Sequence, residues 1–211
     1  MTPAETAKAR FWDRAARRYA ARPVADMGAY ETTLERSRAW LKPGDQVLEI
    51  GCGTGTTALQ LAPHAGCITG SDISPEMIAI AEEKRAAEGV GNVDFIAAPL
   101  SDARLADQAF DVVLAFNVLH LLDDLPAALN RISSLLRPGG LMISKSPCLA
   151  EMSVALRLVI PAMRLVGKAP PVSFFGKATL RRAVEDAGFA IEESGLHADG
   201  GHSLFIVARK R

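Results

Sequence analysis

Cysteine is scarce and follows no pairing pattern. Cys52, Cys67 and Cys148 are the three in 211 residues, and no two stand as C-x-x-C. That argues against a disulfide framework or a structural zinc site and suits a reducing cytoplasm. No apolar run approaches the roughly 20 residues that cross a bilayer. A secretory h-region is missing as well. The Ala- and Arg-rich opening has the composition of an organelle-targeting peptide, but Glu5, Asp13 and the pair Phe11-Trp12 do not fit one. Net charge is absent, with 24 cationic residues against 24 acidic ones, so composition offers no basic field for nucleic acid or an anionic membrane. No cluster of Cys, His and carboxylates has metal-ligand spacing, and no metal is expected. Internal repeats and low-complexity tracts are also lacking. What is present is a 49% hydrophobic chain, long enough for one soluble domain with a sizeable core.

That domain is organised around Gln46 to Gly55, QVLEIGCGTG. Val47, Leu48 and Ile50 make a buried strand. Gly51, Gly53 and Gly55 then allow a sharp turn and close approach of a ligand to the backbone. The next residues, TGTTALQLA, open a helix whose free N–H groups face whatever sits above the glycines. Glu49, at the strand end, decides between ligands. A carboxylate there repels the pyrophosphate of a dinucleotide, whose fingerprint is G-x-G-x-x-G, and suits a ligand carrying positive charge.

From Gln46 strand and helix patterns alternate, the mark of a parallel sheet covered on both faces. Strands are predicted near 46–50, 67–72, 93–97, 111–116 and 141–145, and helices near 55–62, 75–88 and 124–137. Ser74 is the predicted N-cap and Pro75 the first residue of the second of these helices. Pro138-Gly139-Gly140 is read as the end of the third. Toward the C-terminus come a helix from 177, a strand near 189–194, a turn at Gly200-Gly201 and a last strand, SLFIVAR. Two strands joined by a short turn run antiparallel. Before the core, helices are predicted over 4–22, with Phe11, Ala15 and Tyr19 on one face, and over about 30–41. The expected organisation is therefore a single domain: residues 1–42 a helical cap, 46–146 the cofactor-binding core, 149–171 an apolar lid insert and 177–211 a helix with a strand pair. The insert, LAEMSVALRLVIPAMRLVGKAPP, is read as a helix on its own domain, with peripheral membrane contact as the alternative.

Ligands of open α/β sheets bind beyond the carboxyl ends of the strands. Asp72 ends the second strand about twenty residues after the glycine loop, where a carboxylate can accept both ribose hydroxyls of a nucleoside. The fourth strand, FDVVLAFNVLHLLDD, delivers Asn117 and His120 at its exit, and LLRPGG follows.

In order and at core spacing, E-x-G-x-G-x-G, Asp72, F-D-V-V with N-x-x-H, and R-P-G-G resemble the motifs of class I S-adenosylmethionine-dependent methyltransferases, the small-molecule type 11-like group. FWDRAARRYA resembles the common opening of that family. The resemblance implies a Rossmann-like α/β fold: seven strands, mostly parallel, the last antiparallel, helices on both faces, and an N-terminal helical lid. It implies S-adenosylmethionine as cofactor, S-adenosylhomocysteine as product, and cofactor contacts from Tyr19, Glu49, Gly51, Cys52, Gly53, Thr54, Gly55, Asp72, Ile73, Met77, Pro99, Leu100 and Asn117. Tyr30 joins Tyr19 as a residue that closes over the cofactor. Pro99 departs from the pattern, standing where many members have an Asp that contacts the adenine amino group; the Leu100 amide or Asp102 would have to serve instead.

The implied reaction is in-line methyl transfer to an O-, N- or C-nucleophile, in which the protein supplies alignment and a dry pocket. His120 is the candidate base. The acceptor is expected to be small and partly lipophilic, such as a quinone-like ring, a lipid head group or a secondary metabolite. Lys145 and Cys148 lie near it, and His64, His197 and His202 have no assigned role. The protein is expected to be a monomer or homodimer without nucleic acid partners. Two alternatives stay open: an NAD(P)-dependent oxidoreductase, and a protein that binds the cofactor without turnover.

Overall fold

A computed structural model describes residues 1–152, 159, 163, 169–196 and 202–211. Its strands are β1 (Gln46–Ile50), β2 (Cys67–Asp72), β3 (Val93–Ala97), β4 (Phe110–Phe116), β5 (Leu136–Pro147), β6 (Phe189–Leu196) and β7 (Ser203–Lys210). They form one sheet in the order β3-β2-β1-β4-β5-β7-β6. Strands β1 to β5 pair in parallel, and β7 lies antiparallel between β5 and β6. A chain that turns back directly from β6 has to run the other way, which is why only β7 is reversed. The turn expected at Gly200-Gly201 lies outside the described residues.

The helices are α1 (Pro3–Ala20), α2 (Met27–Arg38), α3 (Thr56–Leu61), α4 (Pro75–Glu88), α5 (Leu125–Leu135) and α6 (Lys177–Asp186). Strand alternation sends Leu48, Ile50, Val113, Ala115, Met142 and Ile206 to one face, where Leu129 and Ile132 of α5 and Leu180 and Val184 of α6 cover them. Val47, Val112, Leu114, Ile143, Phe205 and Val207 point to the other, against Leu34 of α2 and Leu59 and Leu61 of α3. Burial on this scale gives each such side chain about 1.5–3 kcal/mol. Ser74 caps α4 through the Met77 amide at 3.2 Å, with Pro75 next in line.

Three expectations change. In α1 the packed face is not Phe11, Ala15 and Tyr19 but Ala9 and Ala16, with Trp12 and Ala20 alongside; Ala16 meets Met77 and Ile80 of α4. Small residues let the two helices approach closely, and Phe11 instead meets the edge of Trp12. Helix α5 ends at Leu135, and β5 starts at Leu136, paired with Phe110. The R-P-G-G run is therefore an irregular strand entry rather than a helix end, with Gly139 at φ 75°. Helix α2 starts three residues earlier than expected. Most of the 149–171 insert lies outside the described residues; within it Leu149–Glu151 form one tight 3-10 turn.

Helix α1 crosses the carboxyl ends of the strands and is held at four places. Glu5 accepts from Ser101 at 2.9 Å, Lys8 donates to the Leu121 carbonyl at 2.8 Å and pairs with Asp123, Asp13 accepts from Ser74 at 2.6 Å, and Arg17 grips Glu83. These anchors lie beyond β3, beyond β4, beyond β2 and along α4.

Candidate functional site

The strand order reverses between β1 and β4, so the loops that follow them part to opposite faces and leave a crevice. The glycine loop forms its floor. Gly51, Gly53 and Gly55 all have left-handed φ, 64°, 55° and 75°. A Cβ on Gly51 would lie 2.5 Å from Val118 Cγ2, and one on Gly55 would lie 2.5 Å from Phe95 Cζ and 2.8 Å from Ala81 Cβ. A Cβ on Gly53 would meet nothing within 4 Å among the described residues. Packing dictates the outer two glycines, while the middle one faces open space.

Asp72 shapes that loop. Its Oδ2 accepts from the Gly53 amide at 3.0 Å and its Oδ1 from the Ser74 amide at 2.9 Å, leaving each oxygen a further lone pair. Burial pushes its pKa upward, against the pull of the Ser74 and Gly53 amides. Ile73 lies between these bonded residues, and the Asp72 carbonyl takes the Ala98 amide at 2.8 Å.

Glu49 is the group out of balance. Its side chain is buried, its Oε2 has no hydrogen-bond partner, and no cation pairs with it among the described residues. Burial drives its pKa up to about 8, with the Ala58 amide opposing and the Asp72 charge adding to the rise. Two carboxylates thus flank the bend, one of them dry with one oxygen unsatisfied. A cationic ligand would relieve both.

Of the other expected residues, Tyr19, Tyr30 and Cys52 feel one or both charges of this pair. Tyr19 keeps 54% of its surface exposed, yet crowding and then the charges of Asp72 and Glu49 raise the pKa of its phenol. The Tyr30 hydroxyl lies 3.5 Å from Thr57 Oγ1, also within the influence of Glu49. The buried Cys52 thiol is pushed well up, first by burial and then by Glu49 and Asp72, so it stays protonated. Thr54 is buried, its hydroxyl accepting from Lys84 at 2.9 Å. Met77 is walled in against α1. Asn117 has a left-handed φ of 54°, and its amide donates to the Lys145 carbonyl at 2.8 Å. His120 sits in the turn Leu119–Leu121 with Nδ1 buried and without a partner among the described residues, and burial lowers its pKa to about 4.

At Pro99 the loop turns so that the Pro99 carbonyl takes the Asp102 amide, while the Asp102 carboxylate is occupied by Arg104. The Leu100 amide has no partner among the described residues, whereas its carbonyl accepts from Arg131. Cys148 is buried in the apolar core. His64 and His202 are exposed, and His197 lies outside the described residues. No group of three metal-binding side chains occurs among the described residues.

Sequence reasoning missed Asp13 and Lys84. Asp13 Oδ1 accepts from Ser74 Oγ, tying α1 to the start of α4, and Lys84 bridges the hydroxyls of Thr54 and Thr56. Neither carries a sequence signal, since each is a charged residue on a helix like many others.

Residues 41–169 match the family model of a methyltransferase domain. A ubiquinone biosynthesis O-methyltransferase of Methylobacterium nodulans is 32% identical over 150 residues, 69% of this chain and 59% of that protein. The first curated relatives are matched over 38–59% of their own length. Among solved structures, magnesium protoporphyrin IX methyltransferase of Synechocystis PCC 6803, with bound S-adenosylhomocysteine, superposes with a TM-score of 0.75 at 23% identity, over 99% of this chain and all of that one. The [4+2]-cyclase SpnF gives 0.71 at 21% identity, over 86% of this chain and 80% of its own. The strand order, the glycine bend between two carboxylates and a family match over more than half the residues converge: the chain belongs to the class I S-adenosylmethionine-dependent methyltransferase family.

Proposed function

We propose that this protein transfers a methyl group from S-adenosylmethionine to a small, partly lipophilic acceptor. The observation that carries the reading is the buried Glu49 carboxylate, unpaired beside the open side of Gly53, because a cofactor with an ammonium and a sulfonium supplies the charge that this carboxylate lacks. The relatives named for ubiquinone biosynthesis and for O-methylation support an acceptor of that class. The fold by itself does not, since it is shared with a cyclase.

Bound there, S-adenosylmethionine supplies a methyl group on a positively charged sulfonium, an electrophile that needs no further activation, and S-adenosylhomocysteine is the product. Glu49 attracts the cationic end, and Asp72 accepts from the ribose hydroxyls with its remaining lone pairs. The open backbone of Gly51, Cys52 and Gly53 gives room for close approach, and the Thr54 hydroxyl and the turn at Gly55 hold the floor in shape. Ile73, Pro99 and the free Leu100 amide line the adenine side, and Met77 packs behind them against α1. Asn117 bounds the methionine side, and Tyr19 with Tyr30 excludes water. His120 bounds the acceptor side without serving as its base: burial lowers its pKa to about 4, so the ring is neutral and a poor base near neutral pH. We read residues 1–42 as the cap of a single domain whose core is 46–146.

S-adenosylhomocysteine at 100 times its dissociation constant should stabilise the protein by about 2.7 kcal/mol, and labelled methyl groups should pass to phenolic or quinol acceptors. A thermal shift with NAD and none with S-adenosylhomocysteine would reverse the assignment.

A further inference from the structure

The net charge of zero conceals a segregation. Residues 1–22 carry the cations Lys8, Arg10, Arg14, Arg17, Arg18 and Arg22 against two carboxylates, Glu5 and Asp13. Lys8, Arg17 and both carboxylates are spent on anchoring α1. Arg10, Arg14 and Arg18 are not. Four residues apart, they line the outward side of α1, away from buried Ala9 and Ala16, and all three are exposed without an ion pair among the described residues. Arg22 follows just past the helix end, equally exposed. Exposed apolar side chains stand at the same end: Tyr19 at 54%, Val24 at 44% and Met27 at 53%.

Like charges at this spacing repel one another, and apolar groups held in water are a cost without return inside the fold. Helix α1 does not need Arg10, Arg14 or Arg22 for packing or for its N-terminal cap, which Thr2 and Glu5 supply, and of the four only Arg18, in the last turn, also favours the helix end. A surface that is anionic and apolar at once relieves both.

We infer that α1 and the 21–27 link dock this protein on an anionic lipid surface, with Arg10, Arg14, Arg18 and Arg22 on the headgroup phosphates and Val24 and Met27 in the acyl boundary. A soluble acidic partner would match the arginines but leave the apolar tip unexplained. The docked helix is the one that crosses the carboxyl ends of the strands, and its Tyr19 lies near Asp72 and Glu49, so the lipid borders the site. Entry of a lipophilic acceptor from that side rests on the methyl-transfer reading; docking does not.

The test is co-sedimentation of the full chain with phosphatidylcholine vesicles, with and without phosphatidylglycerol. Wild type should bind the anionic vesicles alone and release in about 0.5 M salt. R10E/R14E/R18E should bind at least tenfold more weakly, and the neutral R10Q/R14Q/R18Q should fall between. V24S/M27S should lose at least threefold with its charge intact. Melting curves with S-adenosylhomocysteine should be the same for all four proteins, which separates a failure of docking from a failure of the cofactor assignment. Equal partition onto neutral and anionic vesicles, or triple variants that bind like wild type, overturns the proposal. So does an unchanged V24S/M27S together with retention on heparin, which would mark a soluble polyanion as the partner.

Discussion

The Gly53 amide donates to Asp72 Oδ2 at 3.0 Å, so the residue at the end of β2 holds the bend at the end of β1 in shape. The same carboxylate that we assign to the ribose also fixes the floor beneath it. Replacing Asp72 therefore has two effects.

Asp72→Ala should weaken S-adenosylhomocysteine at least tenfold and destabilise the free protein by about 1–3 kcal/mol, because the Gly53 and Ser74 amides lose their acceptor. Calorimetric titration and urea denaturation measure the two separately. An unchanged dissociation constant would place the ribose acceptor elsewhere.

Glu49 gives a prediction of opposite sign. Its folded pKa of about 8 lies above the ordinary 4.5, so its contribution to stability is complete below pH 4.5 and is lost as pH rises to 8. At pH 7 the loss is about 3 kcal/mol. Glu49→Gln should recover most of it in the free protein and flatten the pH dependence of the melting temperature, while binding S-adenosylmethionine more weakly. In wild type, binding of that cation should release a proton below pH 8, visible as a buffer-dependent heat of binding. A binding heat independent of buffer ionisation would contradict a protonated Glu49.

The glycines should separate fold from binding. Gly55→Ala drives a methyl into Phe95 and Ala81 and should cost about 1–3 kcal/mol for overpacking beyond the strain of its left-handed φ. Gly53→Ala meets open space and should lose about 1–2 kcal/mol from φ alone, yet bind the cofactor far less well. Denaturation curves and titrations on the two variants decide; equal effects on both properties would mean that nothing occupies the space above Gly53.

For His120, the lowered pKa makes acid the harmful direction. Its contribution to stability is present above pH 6.5 and is lost as pH falls toward 4. His120→Asn should remove that acid sensitivity. Methyl-transfer rate against pH should show no limb near 6.5 in wild type, and the same profile at lower rate in His120→Asn. A limb near 6.5 that vanishes in the variant would restore His120 as the base.

Much of the site is legible because it is local. The bend, its flanking Glu49, the capped helix after Asp72 and the exit at Asn117 each occupy a few consecutive residues whose conformational needs show in residue type, as with glycine at positive φ. The packed face of α1 was misread because its partner, α4, lies some sixty residues away, and a run rich in alanine and arginine offers several plausible faces. The R-P-G-G run misled for a similar reason. Proline and glycine announce an interruption, but pairing of Leu136 with Phe110 makes it a strand entry.

The sequence by itself determined the parallel core, the reversed last strand, the glycine floor and the two acids beside it, because backbone geometry and charge are properties of single residues. Only the tertiary structure decided that Glu49 is dry and without a cation among the described residues, that Asp13 ties α1 to α4 and Lys84 braces the glycine loop, that His120 is held neutral, and that four arginines of a neutral chain stand exposed without ion pairs among the described residues. Burial, pKa and the pairing of charges depend on what distant segments bring or withhold, and no single stretch of chain contains that information.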